Sequence, residues 1–388
     1  MKKILILGAG VYQLPLIKAA KSMGLEVFVT SVKGNYPGFT LADRIYFEDT
    51  TDEKEIFNIA RKEKVDGVCT SGTDVAMKSL GLVVDELGLV GPSYQAAMAS
   101  SDKLVMKLLF QENGIKSADF RKISNLHESY EAFDALQKPV IFKVLDSSGS
   151  RGTIKVEDKS EIPEVLEKLK QVTAKKEFIV EEFIEGIEFG AQAFVQNGEI
   201  LFVLPHGDML HQGKTVVPVG HYMPFEMSLP DLREQMEKAV RALEMDHCAI
   251  NADLILRDGE IYFLELAARA GATCLPELVS IYYDIDYYEL IIRAAMGERI
   301  SQQFCGNQVC GAEILKAPKS GIITQVDLKV EPSDKIVDCS LDYEPGDSVN
   351  KFEVGPDRIG QIIAKGDSLE EVFKTLEKVK KQIHLSIQ

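Results

Sequence analysis

Asp253 and Glu265 fall on segments that alternate like the two arms of a β-hairpin, and Glu265 interrupts an apolar run, IYFLELAA. A carboxylate in such a run costs free energy unless it is paired or holds a metal. Magnesium takes oxygen ligands and keeps water and nucleotide phosphates in its shell, so one or two acids on adjacent strands suit it. Register decides whether the two can cooperate. A three-residue loop at Asp258-Gly259-Glu260 makes Asp253 and Glu265 direct cross-strand partners, whereas a two-residue turn puts them on opposite faces. Facing carboxylates repel each other without a cation. Arg269 follows in ELAARAGA, among Ala267, Ala268, Ala270 and Gly271. Its guanidinium suits phosphate or carboxylate through two parallel hydrogen bonds. The small neighbours point to close packing rather than to a surface arginine.

Upstream, KVLDSSGSRG spans residues 143–152. Ser147, Ser148, Gly149, Ser150 and Gly152 are small enough for backbone N–H groups to approach phosphate oxygens. Lys143 lies on the preceding strand, placed to neutralise phosphate charge. This is not a Walker loop, because no GK[ST] opens a helix. A solvent-exposed Ser/Gly linker has the same composition. In IVEEFIEGIEFG, residues 179–190, an adenine could find backbone partners, an apolar slot and an acceptor, and a ribose could find a carboxylate. For Glu182 and Glu185 an acidic, solvated strand end explains as much. Gly8 and Gly10 resemble a dinucleotide turn, but Gln13 occupies the third glycine position and the second strand ends in Thr30-Ser31, with no acid for a ribose. A tight strand-to-helix turn accounts for the glycines, and a nicotinamide cofactor is disfavoured. Asp74 and His206 are candidates for a substrate pocket with equally good structural readings. His206 and His211 form an HxxxxH pair, a weak metal candidate.

These residues need a scaffold. Residues 3–7 (KILIL) form a continuous apolar run, as a parallel strand buried on both faces should. Helical spacing follows at 12–23, strands at 25–30 and 65–70, and a helix at 52–63. This alternation predicts a doubly wound sheet over 1–95. A helix at 99–113 starts after Ser100 or Ser101. The pattern then becomes α+β: strands at 139–145, 152–156 and 177–182, a helix at 161–172, strands at 188–196 and 199–205 around Asn197-Gly198, a helix at 230–243, and the acid-bearing hairpin at 249–256 and 261–266. The rest, 305–388, reads as short strands, glycine-rich turns and a closing helix at 368–382.

Length and composition fit this plan. The chain has 388 residues, enough for two or three domains, with 45% hydrophobic and 27% charged residues. Its net charge of −16 repels phosphate backbones and anionic lipid, so neither nucleic acid nor membrane is an expected partner. Six scattered cysteines, with no CxxC, read as reduced thiols of a cytoplasmic protein. No apolar run reaches the ~18 residues of a membrane span. The first residues, MKKILILGAG, suit a buried strand better than a signal peptide.

Taken in order and spacing, these motifs resemble the ATP-grasp superfamily over nearly the whole chain. The resemblance implies a pre-ATP-grasp domain at 1–95, a small lobe with linking helix at 96–186, a large lobe at 187–304, and a small C-terminal domain packing on that lobe at 305–388. It implies ATP with Mg2+, or Mn2+, as cofactors. Lys103, in SDKLVMK, and Lys143 would be the two nucleotide lysines, and the loop 147–152 would close over the phosphates. Glu181, with the backbone of Phe183 and Ile184, would hold adenine, and Glu188 the ribose. Asp253 and Glu265 would hold magnesium, and Arg269 would steady the transferring phosphoryl group. The runs ELAARAGATCLPELVS and VGHYMP look like the carboxylate–amine ligase branch that includes dipeptide-forming amino-acid ligases, with His221 a substrate-pocket residue. Many members carry asparagine two residues after the second magnesium acid; here it is Ala267.

The implied reaction activates a small carboxylate, an amino acid being one candidate, as an acyl phosphate, with ADP formed, and an amine then displaces phosphate. The expected partners are a small carboxylate and an amine, with a homodimer as the default assembly. The rival readings are a purine-biosynthesis or bicarbonate-activating ligase of the same superfamily, and an ATP-binding sensor without catalysis.

Overall fold

The first sheet starts from Lys3–Leu7, where Ile4, Leu5, Ile6 and Leu7 are all fully buried. The computed structural model of the chain describes residues 1–146, 152–212 and 216–388. Four parallel strands run in the order Arg44–Tyr46, Glu26–Thr30, Lys3–Leu7, Gly67–Cys69. The crossover helices are Leu14–Ser22 and Glu53–Glu63, the latter capped by the Asp52 carboxylate accepting from the Glu55 amide. The edge strand Arg44–Tyr46 escapes sequence patterning because it is short and largely exposed, without an apolar run. The expected helix at 99–113 is two helices, Tyr94–Ser101 and Lys103–Glu112. Asp102, not Ser100 or Ser101, caps the second, accepting from the amides of Leu104 and Val105. That cap makes Lys103 the first helical residue.

A second, four-stranded antiparallel sheet follows, in the order Phe120–Ile123, Phe178–Glu182, Val140–Val144, Thr153–Val156. Helices Leu126–Ala135 and Ile162–Lys170 close its core around Phe142, Val180 and Leu169. Ser147, Ser148, Gly149 and Ser150 of the candidate phosphate loop lie outside the described residues. Gly152, at its end, has φ +69° and accepts a hydrogen bond from the Val144 amide.

The third sheet carries the site. Its eight strands run Glu260–Ala267, Cys248–Arg257, Ile187–Gln196, Glu199–Gln212, Val216–Met223, Val309–Lys316, Arg358–Gly366, Ile336–Leu341. The last three come from the C-terminal stretch, so that stretch extends the large sheet by backbone pairing instead of only packing on it. Its remaining strands, Gly321–Leu328, Ser348–Val349 and Ile383–Ile387, form a separate small sheet beside helix Leu369–Lys380. One apolar cluster joins Leu5 and Phe28 of the first sheet, through Met106 and Phe110, to Phe189 and Phe263 of the third. Among the described residues, no helix is long and apolar enough to cross a membrane. The architecture is the mixed α/β, multidomain arrangement expected of an ATP-grasp fold.

Candidate active site

The hairpin that bears the two acids resolves the register question in an unexpected way. Its turn is the two-residue one, Asp258-Gly259, with φ of 53° and 78° and Arg257 opposite Glu260. Left alone, that turn would put Asp253 and Glu265 on opposite faces. A β-bulge intervenes: Leu254 pairs with Phe263, but Asp253 pairs with Glu265, leaving Leu264 as the extra residue. One inserted residue reverses the parity of everything beyond it. The two carboxylates are therefore direct cross-strand partners.

Each acid has a polar neighbour. The Lys103 ammonium donates to Glu265 Oε1 at 3.0 Å, reaching it from the start of its helix. The Asn251 amide donates to Asp253 Oδ1 at 3.1 Å. Asn251 is held by Gln192, whose Nε2 donates to its Oδ1 at 2.6 Å and whose Oε1 accepts from the Gly271 amide at 3.0 Å. Asn251 is also the cross-strand partner of Ala267. An amide is thus present one strand over from position 267, beside Asp253 rather than Glu265. Asp253 is exposed on the cavity wall, with protein dense around it. Desolvation in the cleft, then the charges of Glu265 and Asp208, push its carboxyl up to about 7. Water in the cavity screens part of that effect. Paired acids short of counter-charge suit a divalent cation, so these residues fit the magnesium that the fold implies.

Arg269 and Asp74 meet each other. Nε and Nη2 of Arg269 donate to the two carboxylate oxygens of Asp74, both at 2.7 Å, and Nη1 donates to the Ala270 carbonyl at 3.1 Å. The pair ties the loop after Gly67–Cys69 to the loop after Glu260–Ala267, and the Gly72 amide adds a bond to the Ala270 carbonyl. A guanidinium has five N–H groups, so two remain beyond these bonds.

Glu181 sits among lysines. Its carboxylate is buried, and it accepts from Lys143 Nζ at 2.8 Å with Lys107 Nζ at 3.4 Å. Against the penalty of burial, the two ammonium groups hold its pKa down at about 2. It is a counter-ion to both lysines. Of its neighbours, Ile184 is buried among Ala118 and Ile255, and the Phe183 amide is committed to the Pro139 carbonyl. Glu182 accepts from the Gln137 amide at 3.0 Å, in line with its bland reading. Lys107 was not legible beforehand. Its only signal is its place one helical turn after Lys103, on a face otherwise made by Met106 and Phe110.

Asp74, Glu188, His221, Asp253 and Arg269 line one cavity of about 570 Å³. Burial and then Asp208 raise the Glu188 pKa, while Lys143 acts against them. The Gly8–Gly10 turn forms the opposite wall. Gln13 locks that turn: its Oε1 accepts from the Gly10 amide at 3.0 Å and its Nε2 donates to the Ser71 carbonyl at 2.5 Å. The histidine grouping also differs from expectation. His206 and His221 both place Nδ1 on Asp208 Oδ1, at 3.0 and 2.6 Å, whereas the His211 ring packs edge-on against Phe352 at 5.3 Å. An odd spacing along one strand separates His206 from His211, while a neighbouring strand delivers His221 opposite Asp208.

The chain is similar to several known proteins. Residues 100–273 match the ATP-grasp domain model, and residues 313–388 match the L-amino acid ligase C-terminal domain 2 model. The crystal structure of phosphoribosylglycinamide synthetase from Anaerococcus prevotii is 36% identical, covers 100% of both chains and superposes with a TM-score of 0.85. The L-amino acid ligase structure from Bacillus licheniformis shares the fold, with a TM-score of 0.84, 20% identity, and coverage of 100% of this chain and 99% of that one. Formate-dependent phosphoribosylglycinamide formyltransferase of Pyrococcus abyssi is 24% identical over 76% of this chain and 71% of its own length. The chain belongs to the ATP-grasp superfamily, as an ADP-forming ligase whose cofactors are ATP and Mg2+.

Proposed function

We propose that the chain activates a small carboxylate as an acyl phosphate and passes it to an amine borne on a phosphoribosyl substrate, as a ligase of the purine-biosynthesis type. The observation that carries the chemistry is the facing pair Asp253 and Glu265, with Asp253 lining a cavity that also holds Arg269. When bound, ATP supplies the phosphoryl group and Mg2+ offsets its charge. Asp253 and Glu265 would hold the ion, with Asn251 beside them. Lys103 and Lys143 would neutralise phosphate oxygens. Glu188 would take the ribose, Ile184 would give adenine an apolar slot, and the loop 147–152 would cover the phosphates and keep out water. Arg269, fixed by Asp74, would steady the transferring group with its two remaining N–H groups.

The preference for a phosphoribosyl amine rests on two supports. The relatives with the greater sequence likeness carry phosphoribosylglycinamide in their names. The cavity, about 570 Å³, is also far larger than formate or glycine needs, leaving room for a bulky acceptor. An amino-acid ligase is the second reading. It is favoured by the C-terminal match and by Glu188, a cavity acid with no ion-pair partner among the described residues, which suits an ammonium group. His221 would face the substrate in either case.

A phosphate-release assay with Mg-ATP separates these readings. Formate or glycine should give phosphate only when a phosphoribosyl amine is present; phosphoribosylglycinamide is the stable one to use with formate. Release from pairs of amino acids alone would move the assignment to the second reading. ATP binding with no release from either panel would leave a sensor and end both.

A further inference from the structure

The magnesium acids do not account for His206, Asp208 and His221. Each of the three offers one ligand atom within 4.8 Å of the other two. His206 and Asp208 stand two apart on strand Glu199–Gln212, and His221 pairs with Asp208 from strand Val216–Met223. The two imidazoles are 1% and 4% exposed, with ring centroids 5.0 Å apart and nearly perpendicular. His206 Nε2 is buried without a hydrogen-bond partner among the described residues. Both Nδ1 atoms point at one oxygen, Asp208 Oδ1. Gly190 makes room for the His206 ring, since a Cβ there would collide with it. Gly190 in turn pairs with Asp253 on its other side. His206 and Asp253 therefore flank a common strand, about 10 Å apart at two strand spacings.

We propose that His206, Asp208 and His221 form a second cation site, for a divalent transition metal such as Zn2+, beside the magnesium acids. Two imidazoles and a carboxylate are the donor set such ions prefer over Mg2+. Zinc–ligand bonds of about 2.0 Å in a tetrahedron place ligands about 3.3 Å apart. The two N···O separations, 3.0 and 2.6 Å, need only open slightly. Three protein ligands leave a position toward the cavity for water or a substrate oxygen. In a cavity rich in carboxylates, that ion would supply positive charge where the chain has little. The site is independent of which substrate reading holds.

Zn2+ titration against a chromophoric chelator, with saturating Mg2+ present, tests it on the full chain and on Asp208→Asn, His221→Gln and Asp253→Asn. Wild type and Asp253→Asn should each bind one Zn2+ per chain, and the other two variants should bind about 100-fold more weakly. Unchanged affinity in His221→Gln overturns the site, as does absence of stoichiometric Zn2+ in wild type. Loss in Asp253→Asn with retention in His221→Gln assigns the ion to the magnesium acids and overturns it as well. If Asp208→Asn fails to fold, His221→Gln decides the matter alone.

Discussion

Two charged clusters in this chain are built on opposite balances. Around Glu181, one carboxylate faces two ammonium groups, Lys107 and Lys143, and both Glu181 and Lys107 are buried. Around the cavity, Asp253, Glu265, Asp208 and Glu188 share Lys103, the already committed Arg269 and the field of Lys143. The first cluster keeps one positive charge to spare, and its carboxyl is held low, at about 2. The second is left short of positive charge, and Asp253 is pushed up to about 7. A carboxylate outnumbered by buried ammonium groups is fixed as their counter-ion and supports the fold. A cluster short of positive charge is poised to take a cation.

Substitutions should break the two clusters differently. Glu265→Gln, on the acid-rich side, should lower Mg-ATP-dependent phosphate release ~1000-fold while its thermal unfolding stays near wild type. Near-wild-type release would mean that Glu265 holds no ion. Glu181→Ala should do the reverse to the fold. It leaves Lys107 buried without a counter-charge and should cost about 3–5 kcal/mol in denaturant unfolding. Because its folded pKa is depressed, the stability from Glu181 is complete above the unfolded value of ~4.3 and is lost as pH falls through about 2. Acid unfolding of wild type and Glu181→Ala should therefore converge toward that low pH.

The hydrogen-ion dependence of the other cluster has the opposite sign. Asp253 is raised, so its native state keeps a proton that the unfolded chain has lost, and the site becomes less stable as pH rises from ~4 through about 7. A divalent cation competes with that proton. Apparent Mg2+ affinity should fall up to ~10-fold per pH unit below about 7, and Mg2+ should raise the Tm more at pH 8 than at pH 5.5. Asp253→Asn should remove that difference; its persistence would locate the titration elsewhere. The smallest effect is expected from Asn251→Ala, which removes the amide beside Asp253. Mg2+ affinity should drop ~10-fold by titration with little change in unfolding, and an unchanged affinity would show that Asn251 does not stand in for an amide at 267.

Legibility in the sequence followed what each element depends on. Lys3–Leu7 announces itself because burial on both faces demands an unbroken apolar run. Arg44–Tyr46 does not, since backbone pairing at a sheet edge places little demand on side chains. The two candidate magnesium acids were legible because charge is out of place in an apolar strand. Their mutual orientation was not, because it hangs on the bulge at Leu264, an insertion with no composition of its own. Lys107 was hidden because a buried lysine on an apolar helix face looks like an ordinary amphipathic position until its partner is known. His206 and His221 were legible singly, but their grouping with Asp208 was hidden because pairing across two strands brings them together, not spacing along one. The Ser147–Ser150 part of the phosphate loop lies outside the described residues and is carried by sequence alone.

The most direct test is Mn2+ binding in the presence of ADP, followed by loss of the free-ion paramagnetic signal, in wild type, Asp253→Asn and Glu265→Gln. A cation clasped by these two side chains predicts tight uptake by wild type and uptake weakened at least ~10-fold in both variants. Equal uptake by all three proteins would contradict it.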